Sequence, residues 1–170
     1  LEPIQSGRIL VDGTEVHART TDLNKLRQKI GIVFQQLNAF PHLTVLENVR
    51  IALQHKLGVS YHFWRSEKVL DALNGRALEL LDTVGLRDLA EMVTVELPYG
   101  RKRALEIATT LAMEPKLMLL DEPTQGMGHE DVELVTQLIK KVAANRTVLM
   151  VEHNMNVVGS IADTITVLAR

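Results

Sequence analysis

Four consecutive apolar residues, Leu117-Met118-Leu119-Leu120, run straight into two carboxylates, Asp121-Glu122, followed by Pro123-Thr124. No other segment constrains the fold as tightly. A short apolar run without polar alternation reads as a buried strand of the kind found in parallel sheets. Open α/β sheets place their ligands at the carboxyl ends of their strands, which is where these two acids fall. Adjacent carboxylates repel one another and are costly to desolvate, so a strand ending in both needs a counter-charge. A Mg2+-bound phosphate supplies one: Asp121 would hold the metal shell, and Glu122 would align and polarise a water for in-line attack. The plainer alternative is a solvated strand end.

Two other segments have the same form. Thr147-Val148-Leu149-Met150-Val151 is an apolar strand that ends on Glu152-His153. An imidazole there can donate to a γ-phosphate or to the attacking water. Ile30-Gly31-Ile32-Val33-Phe34 is a β-branched run ending on Gln35-Gln36, and the neutral Gln35 amide can sense Mg2+ or the water without adding charge. Taken singly, a His or Gln at a strand end is more often a surface residue. Set beside the Asp-Glu strand, one shared site becomes the better reading.

The remaining pattern supports an α/β fold. Gly7 to Gly13 reads as a strand closing on an Asp12-Gly13 turn of type I′, and Leu23 to Lys29 as a short helix. Thr44 with Glu47 forms a capping box. Leu70, Leu73, Ala77, Leu78, Leu80, Leu81 and Val84 keep helical spacing up to Gly85, a natural residue just beyond a helix end. Pro98 and Gly100 precede a helix predicted over Arg103 to Met113. Beyond the Asp-Glu strand, helices are predicted over Glu130 to Ala144 and Met155 to Ala162, with a last strand over Thr164 to Leu168. Strand–helix–strand–helix–strand implies a parallel sheet with helices packed on it. The middle helical block reads as a subdomain inserted into that core. One domain results, with a β element and Gln35 strand over 1–41, helical residues 42–113, and core residues 114–170.

Composition excludes several classes. The 170 residues are 46% apolar and 24% charged, which argues against disorder, and a net charge of -2 gives no reason to expect nucleic acid or an anionic membrane surface as partner. Without cysteine there is neither a disulfide framework nor a thiolate metal site, which fits a cytoplasmic location. No run reaches the roughly 18 apolar residues of a membrane span. The opening Leu1-Glu2-Pro3 lacks an initiator Met and a signal-peptide pattern, and the chain stops on a strand-like run, so both ends read as interior to a longer protein.

Together these residues resemble the ATP-binding subunits of ABC transporters. Gln35 matches that family's Q-loop, and Phe40 to Val49 is close to its usual continuation. Leu97-Pro98-Tyr99-Gly100-Arg101 stands at the signature, Leu117 to Glu122 at Walker B, Gln125-Gly126-Met127-Gly128 at the D-loop and His153 at the H-loop. The likeness implies a P-loop NTPase (RecA-like) core, present here in part, with ATP and Mg2+ as cofactors. It implies Asp121 and Gln35 on the metal side, Glu122, His153 and Gln35 as catalytic groups, and Tyr99, Gly100 and Arg101 reaching the ATP of an opposite subunit. Implied partners are a second ATPase subunit and membrane-embedded permeases, at the inner face of the plasma membrane. Within the family the chain is most similar to the branched-chain amino acid importers, through Tyr99, Arg103 to Ala108, Val151 to Met155 and the Tyr61-His62-Phe63-Trp64-Arg65 run. A soluble non-transport ABC ATPase and a non-catalytic remnant are the rival readings, and the residues do not name the solute.

Three departures from the family carry expectations. The phosphate-binding pattern G-x-x-x-x-G-K-[ST] does not occur in these residues, so the segment alone is expected to bind ATP poorly. The strand that feeds that loop would lie beside Thr147 to Glu152, and without it the segment is expected to be molten or prone to aggregation. Pro98 stands where the signature has Ser, and Gly128 where the D-loop has Asp, which predicts slow hydrolysis at the site this signature completes.

Overall fold

The computed structural model describes residues 6–57 and 67–168, with the backbone alone for 67–72. The Tyr61–Arg65 run, with Phe63 and Trp64, lies outside the described residues.

The first element is a hairpin, β1 (Leu10–Val11) paired antiparallel with β2 (Thr14–Glu15). Asp12 and Gly13 have φ of 50° and 72°, the two positive values that a type I′ turn requires. The Asp12 carboxylate accepts from Lys29 Nζ at 2.8 Å and from Lys116 Nζ at 3.0 Å, which holds its carboxyl down at about 2. Those lysines immediately precede two core strands, so this one acid pins the hairpin to the sheet. A short helix α1 (Leu23–Arg27) follows, capped by the Asp22 side chain.

Three parallel strands make the sheet: β3 (Ile30–Val33), β4 (Leu117–Asp121) and β5 (Thr147–Val151), in the order β3-β4-β5. Register places Gly31, Met118 and Val148 in one row, Ile32, Leu119 and Leu149 in the next, and Val33, Leu120 and Met150 in the third. Odd and even rows face opposite ways. The Gly31 and Val33 rows are packed against helices. Gly31 has no room for a side chain, because a Cβ there would lie 2.5 Å from Thr110 Cγ2. The Ile32 row faces away and is open among the described residues, with Leu149 61% exposed. Burial along β4 therefore alternates instead of running continuously, and the expectation of a fully buried strand is corrected in that respect.

Thr164 to Leu168, predicted as a strand, is not one. Among the described residues nothing pairs with β5 on its outer side, so a strand there would have no partner for its N–H and C=O groups, and Leu168 is 93% exposed.

The helical block contains α2 (Val45–Lys56), α3 (Glu67–Thr83) and α4 (Tyr99–Ala112). Thr44 and Glu47 form the expected reciprocal capping box. Buried Asn48 holds the entry loop by bonding Phe40 N and O, Thr44 O and Thr94 Oγ1. Gly85, at φ 70°, takes the left-handed turn beyond α3. Helix α4 starts at Tyr99, not Arg103. Pro98 is its N-cap residue, extended at ψ 155°, and proline's missing N–H is no loss at a helix start. Two further helices, α5 (His129–Ala143) and α6 (Met155–Ile161), complete the fold. Helix α4 packs on α2, α3, α5 and β3, and one apolar cluster runs from Val33 and Val49 through Leu81 and Leu105 to Met118 and Ile139.

Candidate active site

Because β3, β4 and β5 are parallel and in register, they end level, and the residues after them emerge on one rim. Gln35 Nε2 lies 3.4 Å from Glu122 Oε2 and also donates to Gln125 Oε1. His153 Nδ1 lies 3.7 Å from Glu122 Oε1. The Glu122 carboxylate thus sits between an amide and an imidazole that belong to the two neighbouring strands.

Glu122 itself has left-handed backbone, φ 44°, which a residue with a Cβ adopts rarely and at a cost of about 1–3 kcal/mol. Its N–H still donates to Val151 O at 2.9 Å and its C=O accepts from Gln125 N at 3.2 Å. The chain therefore leaves the ladder at Glu122 while remaining tied to β5. Asp121, the last residue of β4, pairs with Val151 and is exposed on the same face as Leu119.

Glu152 was not singled out from the sequence as a site residue. Its side chain is only 1% exposed, and its carboxylate accepts from Thr124 Oγ1 (2.8 Å), Thr124 N (3.3 Å), His153 N (3.0 Å) and Asn154 N (3.1 Å). Burial opposes its charge, but these donors together outweigh burial and hold the carboxyl below its usual range. Glu152 joins the turn after Glu122 to the loop bearing His153. The available signal was its place at a strand end beside the histidine.

Tyr99, Gly100 and Arg101 form the first turn of α4. Tyr99 is partly exposed. Arg101 Nη1 donates to Gly85 O at 2.9 Å, the turn beyond α3. Gly100 is buried against α5, and a Cβ there would lie 2.4 Å from Asp131 Oδ1. No hydrogen bond or ion pair links these three residues to Gln35, Glu122 or His153 among the described residues.

Among the described residues no group of three or more His, Asp and Glu side chains could hold an ion unaided. Mg2+ keeps several waters and takes one or two carboxylates plus substrate phosphates, so the exposed Asp121 carboxylate at the end of β4 could serve as one ligand. A cleft lined by Ile32, Phe34, Asn38, Glu106 and Thr110 lies between β3 with the segment just beyond it and the flank of α4.

The sequence profile of the ABC transporter family matches residues 1–125. The chain belongs to the ABC transporter family. ABC transporter relatives include the glutamine transport ATP-binding protein GlnQ of Geobacillus stearothermophilus, 37% identical over 97% of this chain and 65% of that protein. The arginine transport ATP-binding protein ArgV of Corynebacterium glutamicum is 36% identical over 99% of this chain and 67% of its own length. The glutamate/aspartate import ATP-binding protein GltL of Escherichia coli K12 is 35% identical, with 97% and 65% covered. The chain thus spans about two thirds of the length of these relatives, whose names refer to polar amino acids. A solved ABC cassette, the dimeric post-hydrolysis state bound to ADP and Pi, superposes with a TM-score of 0.67 at 33% identity, covering 90% of this chain and 65% of that one. The described residues accordingly form part of a P-loop NTPase core with an inserted helical block. None of their helices is long and apolar enough to cross a membrane.

Proposed function

We propose that this chain is the larger part of the ATP-hydrolysing subunit of an ABC importer for amino acids. One observation carries the reading: the Glu122 carboxylate stands between the Gln35 amide and the His153 imidazole at the tips of adjacent parallel strands. Glu122 orients the attacking water and draws off its proton as the water oxygen bonds to the γ-phosphorus and the bond from that phosphorus to the β,γ-bridging oxygen breaks, with ADP leaving on the opposite side. His153 donates a hydrogen bond to the γ-phosphate, and Gln35 fixes the water from the other side. Asp121 and Gln35 would hold Mg2+, which neutralises phosphate charge when bound. Tyr99, Gly100 and Arg101, which make no hydrogen bond to this group among the described residues, would complete the site of a second subunit. Permease subunits would seat the pair on the cytoplasmic face of the membrane, and closure around ATP would bias them between inward- and outward-facing states.

The solute class is the finer proposal. Tyr99, Arg103 to Ala108 and Val151 to Met155 favour a branched-chain amino acid, whereas the names of the relatives above favour a polar one. The test uses the full natural chain with its permeases in vesicles. Glu122→Gln should lower ATP turnover by about 10²–10⁴-fold while ATP is still bound. Unchanged turnover would overturn the assignment of Glu122, and a wild-type protein without ATPase activity would favour a non-catalytic remnant. Uptake of leucine against glutamine decides the solute class.

A further inference from the structure

Arg103, in the second turn of α4, is completely buried, and a buried guanidinium is costly unless its charge and donors are met. Its charge is met by Glu106 one turn on, with Nη1 at 2.7 Å from Oε2. Its other contacts converge on one place. Nη1 donates to Phe34 O at 2.6 Å and Nη2 to Gln35 O at 2.8 Å, while Nε has no partner. The β3–β4 pairing stops at Val33, so these are the two carbonyls immediately beyond it. Glu106 uses its second oxygen to accept from Asn38 N. A single ion pair on α4 therefore grips the chain at Phe34 and Gln35 on one side and at Asn38 on the other.

We propose that Arg103 is the positioning residue for Gln35: by binding the Phe34 and Gln35 carbonyls it sets where the Gln35 amide meets Glu122. The catalytic consequence rests on the function proposed above. An apolar side chain of equal bulk would fill the space with less desolvation, but it could not direct two carbonyls. Direction matters here because the Gln35–Glu122 contact, at 3.4 Å, is at the long end of hydrogen bonding, and a small shift of the backbone would open it. Burial pushes the Glu106 carboxyl up, against the Asn38 N–H and the Arg103 charge that favour its ionised form.

The test compares Arg103→Met, Arg103→Lys and Glu106→Gln in the full natural chain, with two readouts. In hydrogen exchange, Arg103→Met should speed exchange across residues 35–38 by about tenfold or more while the β4–β5 ladder keeps its protection. In kinetics, it should lower kcat by about tenfold with KM for ATP held within about twofold, and cost less than about twofold when Gln35→Ala is already present. Arg103→Lys, which retains a charge and a donor, should recover part of both. Unchanged exchange at 35–38, or losses that multiply fully with Gln35→Ala, would overturn the proposal. If Arg103→Met does not fold, Arg103→Lys and Glu106→Gln carry the same two readouts. If the wild-type chain does not hydrolyse ATP, the functional reading fails and hydrogen exchange alone decides the positioning role.

Discussion

At the tip of β5 the Glu152 carboxylate gathers one hydroxyl and three backbone N–H groups, so its charge organises two loops at once. Glu152→Gln is expected to lower stability by about 1–2 kcal/mol, and to slow ATP turnover through displacement of Thr124 and His153. Because the folded carboxyl titrates below its unfolded value, its contribution is present above about pH 4.3 and fades as pH falls through the depressed folded value. Urea melts of the two proteins should therefore differ most near neutrality and converge in acid. That Gln35, Glu122 and His153 come together was legible in the sequence, because residues that follow adjacent parallel strands surface on one rim. The sequence did not announce Glu152, whose partners are backbone groups and a threonine 28 residues upstream. Arg101 could be placed at the signature by its position, but its reach back to Gly85 O depends on packing between α3 and α4.

At the scale of elements, α4 shows why one helix boundary was misread. Pro98-Tyr99-Gly100 looks like a breaker, yet proline suits the position before a helix and Gly100 is required inside the first turn. Asp131 of α5 occupies the space a Cβ would need, down to its own Cβ at 2.8 Å. Gly100→Ala should cost about 1–3 kcal/mol in thermal or urea denaturation, and adding Asp131→Ala should return part of it. The capping box on α2 was legible because both of its residues are local. The anchoring of the β1–β2 hairpin was not, since Asp12 meets Lys116 across 104 residues. Asp12 is held at about 2 by Lys29 and then Lys116, so its stabilising effect is complete above the ordinary aspartate value near 3.9 and is lost as pH falls through about 2. The denaturation midpoint of Asp12→Asn should lie below that of the wild type at pH 5–7 and meet it near pH 2.

At the scale of the whole molecule, the described residues leave the sheet with one covered and one open face. Among the described residues, the row of Ile32, Leu119 and Leu149, with Phe34 and Val151 nearby, presents apolar surface, and the outer edge of β5 is unpaired. Surfaces of this kind recruit other chains. The 170 residues expressed alone should elute above monomer mass and bind a hydrophobic dye, and Leu149→Lys with Ile32→Lys should reduce both. Monomeric elution with a sharp melt of the unaltered segment would contradict this. The α/β class and the parallel sheet were readable from the strand runs. The open face was not, because alternation of burial along β4 depends on what covers each side.

Arg103 also bears on how the chain reaches this state. If α4 collapsed onto its helical neighbours before β3 arrived, the guanidinium would be left in apolar surroundings without the Phe34 and Gln35 carbonyls to receive it. Docked in that way, α4 would bury the guanidinium with Glu106 as its partner and two donors unmet, a cost that is relieved only when the Phe34–Gln35 segment is in place.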